Sequence, residues 1–151
     1  MIEILVVMAA VLVGLSAGLF ATFSYVVMPG LRGTDDATFV QSMRSINVAI
    51  LNPVFAVVLG GSAVAAIAAT VVAWGTDAAP WLLAAVVLHV AGAFVVTGAV
   101  NVPLNNALEA GSGGAPSPRA AFERRWTGWN HVRSVLTLAA FVCSVVAATK
   151  A

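Results

Sequence analysis

Arg124-Arg125-Trp126-Thr127-Gly128-Trp129-Asn130-His131-Val132-Arg133 (residues 124–133) runs without interruption into Ser134 to Thr149, a segment with no charged residue. Three arginines, two tryptophans, an asparagine and a histidine thus fall within ten residues of a chain that is only 9% charged. A cluster of tryptophan and arginine leading into a long uncharged run reads as the interfacial end of a membrane helix. Read as helix, Trp126, Asn130, Arg133 and Thr137 share a face, because steps of three and four return to the same side. His131 lies one residue, about 100°, round from Asn130. Two readings compete for the stretch. An ionisable group at the mouth of a membrane helix marks a functional site. Tryptophans that belt the interface and arginines that snorkel to it need mark no more than anchoring.

The rest of the composition agrees with a membrane setting. Of 151 residues 61% are hydrophobic, and the mean hydropathy is +1.01. A soluble domain of this size has no means of covering so much apolar surface, so the expectation is an integral membrane protein. A net charge of +1 offers no basic patch for nucleic acid. The single cysteine, Cys143, lies within the last apolar run and reads as a packed thiol. The first apolar run carries Glu3 where a secretory leader needs a basic region, and it is too long for one, so it reads as a retained span.

Working backwards and outwards, four spans emerge, at about 2–28, 53–74, 81–100 and 130–149. The expected fold is therefore all-α, a single domain built as a four-helix transmembrane bundle with interfacial helices in the two long connections. Span one carries a small-residue patch from Gly14 to Ala21 suited to close helix packing, and Pro29-Gly30 should stop it. Thr34 or Asp35 can cap the helix that follows. Its apolar stripe is Phe39, Met43, Ile46 and Ile50, with Gln41, Arg44, Ser45 and Asn47 off the stripe. Asn52-Pro53 should interrupt the chain before span two, because proline drives its predecessor out of helical geometry. The short turn Gly75 to Pro80 makes spans two and three antiparallel neighbours. His89, in the middle of span three, is expected to donate to a neighbouring carbonyl or hydroxyl. Asn101 and Asn105 would share a face only if the helix continued past Pro103. Gly111 to Pro118 reads as a flexible linker.

The two halves look alike. Ala37, Phe39 and Asn47 in the first are spaced as Ala120, Phe122 and Asn130 in the second, which predicts a parallel two-hairpin pseudo-repeat. Asn47, Asn52, Asn101, Asn105 and Asn130 would then cluster at one membrane face. Arg32, Arg44, Arg119, Arg124 and Arg125 all fall in the long connections, which places these in the cytoplasm and both termini outside. A bacterial plasma membrane is the expected location.

Ligand chemistry is sparse. His89 and His131 differ in depth by about 18 Å at ~1.5 Å per residue, too far to share an ion or a haem. No metal site is therefore expected, although a haem held by one histidine stays open. Antiport and nucleophilic catalysis lack a mid-membrane carboxylate and a paired serine or cysteine. Acid–base chemistry with polarisation remains. His131 is the side chain suited to act as base near neutral pH. Arg133 and the asparagines suit a developing oxyanion, and Trp126, Trp129 and Tyr25 suit a flat ring.

The chain resembles the anthrone oxygenase-like family of small four-span membrane proteins. The resemblance rests on Gly18-Leu-Phe-Ala-Thr-Phe-Ser-Tyr-Val-Val-Met-Pro-Gly-Leu, Met43-Arg-Ser-Ile-Asn-Val-Ala-Ile-Leu-Asn-Pro-Val-Phe, Asn101-Val-Pro-Leu-Asn-Asn and Phe122-Glu-Arg-Arg-Trp-Thr-Gly-Trp-Asn-His-Val-Arg. It implies conversion of an anthrone to an anthraquinone in an aromatic polyketide pathway, without flavin or obvious metal and with dioxygen as co-substrate. Resemblance and chemistry together make His131 the base. Asn101, Asn105, Asn130 and Arg133 would hold the phenolate or peroxide oxygens, and Trp126 and Trp129 would flank the rings. The expected partners are a small aromatic or amphiphilic molecule and the bilayer, with no nucleic acid. A non-enzymatic carrier of an amphiphile is the rival reading, and a third is assembly of a homo-oligomer through the Gly14 to Ala21 patch.

Overall fold

A computed structural model describes residues 2–111 and 117–151. Among these the chain forms five helices: α1 (Ile2–Arg32), α2 (Asp36–Ala49), α3 (Pro53–Val72), α4 (Ala79–Glu109) and α5 (Pro118–Ala148). All but α2 are long and apolar enough to cross a membrane. α1 packs on α3 and α5, and α4 packs on the same two, giving an up-down-up-down bundle. Most of the expected linker, residues 112–116, lies outside the described residues.

The three prolines near span ends behave differently, for a local reason. Pro29 and Pro103 do not end their helices. Each is preceded by a wider π-helical stretch, Phe23–Val27 in α1 and Val90–Asn101 in α4. Proline lacks an N–H and clashes with the carbonyl four residues back, and a π turn re-registers that carbonyl. Spans one and three therefore run to Arg32 and Glu109, past the ends expected from the prolines alone. At Pro53 no such turn precedes. Asn52 is extended, with φ −129° and ψ 164°, and α3 starts afresh with Pro53 in its first turn.

The two ends of the bundle have different interiors. Near the termini and the α3–α4 turn the core is Val6, Ala9, Val13, Ala66, Ala69, Ala73, Ala78, Leu82, Ala140 and Ala147. At the other end it is Phe23, Met28, Phe39, Met43, Leu108, Phe122 and Trp126. Helix α2 supplies Phe39 and Met43 to this second core, between the ends of the long helices. Phe39 and Phe122, which the sequence spacing pairs between the two halves, meet at 6.2 Å with an interplanar angle of 67°. Gly92 lets α4 approach α5 closely. A Cβ there would lie 2.9 Å from Leu136 Cβ and 3.1 Å from the Arg133 carbonyl oxygen.

Arginines tie α2 into place. Arg119 donates to the Thr34 carbonyl at 2.6 Å and to the Arg32 carbonyl at 2.9 Å, pairs with Glu123 at 2.7 Å, and lies over the Phe39 ring. Arg44 donates to the Leu108 carbonyl at 2.7 Å and the Glu109 carbonyl at 2.9 Å, satisfying the open C-terminal end of α4. Asp35, not Thr34, caps α2 by accepting from the Thr38 amide at 3.0 Å. That amide and the Thr38 hydroxyl hold its carboxyl below the usual carboxylate range, the hydroxyl contributing most.

Candidate functional site

The site grows from the inward face of α5. Asn130 is fully buried, and its Nδ2 donates to the Phe20 carbonyl at 3.1 Å and to Ser24 Oγ at 2.7 Å. With both amide protons held by α1, its Oδ1 is free to accept from Arg133 Nε at 2.8 Å, one helical turn on. Arg133 Nη1 donates to Thr97 Oγ1 of α4 at 3.2 Å. The guanidinium carbon lies 4.3 Å from the Phe20 ring centroid and 5.2 Å from that of Trp126. Arg133 is thus clamped by three helices.

Its charge is not balanced. Arg133 is only 6% exposed, and no carboxylate pairs with it among the described residues. Removing a cation from water costs several kcal/mol, and two neutral oxygens and two ring faces return only part of that. The position therefore favours an anion or a group becoming one.

Across the gap, Trp126 Nε1 donates to Asn105 Oδ1 at 2.7 Å, and the indole stacks on Phe122 at 5.8 Å. Asn101 is 1% exposed. Its Nδ2 reaches the Trp126 carbonyl only at 3.5 Å, and its Oδ1 has no partner among the described residues. These groups enclose a cavity of about 210 Å³ bounded by Phe20 and Phe23 of α1, Ile46, Asn47 and Ile50 of α2, Thr97, Asn101 and Asn105 of α4, and Trp126 and Arg133 of α5. That is below the roughly 300–1,000 Å³ of drug-sized pockets, and it suits one small flat molecule.

Of the residues singled out in the sequence, the cavity brings together Asn47, Asn101, Asn105, Trp126 and Arg133, with Asn130 directly behind Arg133. Asn101 and Asn105 reach it because α4 continues past Pro103. Others lie elsewhere. Asn52 caps α3 through the Phe55 amide at 3.0 Å and lines a separate apolar groove with Leu15 and Leu19. Tyr25 is 68% and Trp129 42% exposed, and neither lines the cavity. His131 is exposed and lies in an open groove with Arg32 and Arg124. The reason is rotational: Trp129 and His131 flank Asn130 by about 100° each, so when Asn130 faces inward both neighbours face out. The geometry therefore does not bring His131 to the place where a base for a molecule in this cavity would stand.

Thr97, Phe20 and Phe23 supply contacts that were not singled out as site residues, while Ser24, expected with Tyr25 as polar lining, bonds Asn130. Thr97 was within reach of the helical period, four residues before Asn101. Phe20 and Phe23 carry no signal beyond that of any buried aromatic. His89 is fully buried with Nε2 2.8 Å from Ser62 Oγ. The single Ser62 proton goes to the Leu59 carbonyl at 2.7 Å, so Nε2 is the donor and Nδ1, which has no partner among the described residues, is the open acceptor. No group of three or more metal-ligating side chains occurs among the described residues.

A family model described as anthrone oxygenase matches residues 43–143. The matched segment carries Asn47, Asn101, Asn105, Trp126, Asn130 and Arg133, while Phe20 and Phe23 lie before it. No curated protein and no solved structure matches.

Proposed function

The chain belongs to the anthrone oxygenase family, and from that premise we propose that it is a membrane oxygenase for a flat, enolisable aromatic ketone bound in the Arg133 cavity. The observation that carries the reading is the buried guanidinium without a carboxylate partner among the described residues. A ketone flanked by rings passes its methylene proton to water as its enolate forms, and charge collects on oxygen. A cation held in place before reaction stabilises that oxygen in the transition state, without reorganisation. The Asn130 hydrogen bond fixes the guanidinium plane, and the Asn101 Oδ1 offers an acceptor to a ligand hydroxyl. Trp126 and Phe23 bound the space on the ring side.

The electron-rich carbanion then reduces dioxygen. One oxygen atom becomes the new ring carbonyl in place of the two methylene hydrogens, and the other leaves as water. This balances as methylene plus O₂ to carbonyl plus H₂O. The arginines of the long connections support a cavity opening toward the cytoplasmic side.

The test is oxygen uptake and quinone absorbance when protein in detergent meets a hydroxylated anthrone. Arg133→Gln should lower conversion by about 10²–10³-fold, the usual cost of one oxyanion donor. His131→Ala should keep most of it. Loss in His131→Ala with Arg133→Gln unaffected would reverse these assignments. Among the described residues no carboxylate or imidazole lines the cavity, which favours as a second reading a binding protein for an anionic aromatic. That reading expects saturable binding sensitive to Arg133→Gln, with no oxygen consumed.

A further inference from the structure

The exposed side of the same helix carries a second polar site. A groove where α5 meets the end of α1 is lined by Arg32, Glu123, Arg124, Thr127, Gly128 and His131. Its charge is positive. Glu123 is already engaged by Arg119 at 2.7 Å, and Arg32 lies 3.5 Å from it with a side chain 67% exposed. Arg124 forms no ion pair among the described residues, and His131 adds a ring N–H.

Thr127 lines the groove and carries an unspent hydroxyl. The other buried hydroxyls of α5, on Ser134, Thr137 and Ser144, each donate to the carbonyl four residues back. Thr127 is 7% exposed, yet its Oγ1 has no partner among the described residues. A buried hydroxyl left unpaired costs free energy that an incoming oxygen acceptor recovers. Gly128 raises no side chain, and nothing lies within 4 Å of where its Cβ would be, so the floor stays clear.

Below the groove, at helical spacing from His131, run Val135, Leu138 and Val142, which are 65%, 42% and 58% exposed. This apolar stripe leads from the cationic groove along the outside of a membrane helix. A ligand that fits both parts has an anionic head and an apolar tail. We propose that the groove binds the phosphate of an anionic phospholipid, between Arg124, Arg32, His131 and the Thr127 hydroxyl, with an acyl chain along Val135, Leu138 and Val142. This site is separate from the Arg133 cavity and does not depend on its chemistry.

Native mass spectrometry of the intact protein tests this, with phosphatidylglycerol and phosphatidylcholine of matched chains, and with inorganic phosphate as a soluble competitor. Phosphatidylglycerol should be retained over phosphatidylcholine. Arg124→Gln should cut that preference about fivefold, the effect of one cation at a membrane surface. Thr127→Val, which keeps the shape, should lower it further at unchanged melting temperature. Equal retention of the two lipids, or a preference untouched by both variants, would overturn the proposal. So would displacement of the lipid by millimolar inorganic phosphate, which would make the site one for a free anion.

Discussion

The two ends of this bundle solve the same packing problem in opposite ways. Near the termini, alanines of α3 and α5 meet valines of α1, and the helices close with little between them. At the other end α2 is inserted, the core is phenylalanine, methionine, tryptophan and Leu108, and a cavity of about 210 Å³ with a buried arginine remains. In a membrane, apolar burial gives little drive between helices, so close contact of small residues has to hold the bundle together. The alanine end supplies that contact. Because it does, the aromatic end can hold polar groups imperfectly satisfied, namely, among the described residues, Arg133 without a carboxylate partner and Asn101 Oδ1 without a donor.

The largest expected effect separates activity from stability. Arg133→Met should abolish anthrone conversion yet leave the melting temperature equal or higher, since a well-packed apolar side chain often replaces a buried ion at no cost. A melting temperature that fell by more than about 10 °C would mean Arg133 holds the bundle together, and the contrast between the ends would fail.

A smaller effect is expected at the seam between the two ends. Gly92→Val places atoms where Leu136 Cβ and the Arg133 carbonyl already stand at 2.9 and 3.1 Å. Overpacking of this kind costs about 1–3 kcal/mol, and it should displace Arg133 as well. Denaturation in mild detergent alongside the conversion assay reads both, and a variant unchanged in both would show that α4 and α5 are not tightly apposed.

The smallest effect concerns the cap that sets α2 in place. The folded state holds the Asp35 carboxyl below its ordinary value through the Thr38 hydroxyl and amide. Its contribution is therefore present above the unfolded-state carboxylate value and is lost as pH falls through the lower folded one. Acid titration of wild type against Asp35→Asn should show the two converging at the acid end. Curves that stay parallel down to about pH 2 would mean the cap does not contribute through its charge.

Much of this was legible in the chain. Trp126, Asn130 and Arg133 share a face by spacing alone, and they do face inward together. The same period put His131 and Trp129 on other faces, but only knowing which face turns inward shows that they leave the cavity. Asn101 and Asn105 depended on whether Pro103 ends α4. That turned on a π-helical stretch beginning at Val90, which no propensity announces. Asn52 caps α3 and stays out of the Arg133 cavity because its proline neighbour breaks the helix where Pro29 and Pro103 do not.

By itself the sequence determined the class, the four spans, the break at Asn52 and the polar face of α5, because hydropathy and helical period are local quantities. Tertiary structure alone decided which polar groups meet. Arg133 finds Thr97 across 36 residues and Asn130 finds Phe20 across 110, and nothing local encodes a contact at that range. It also decided which atoms go without partners among the described residues, namely Ser16 Oγ, His89 Nδ1, Asn101 Oδ1 and Thr127 Oγ1, because satisfaction is a property of the packed whole.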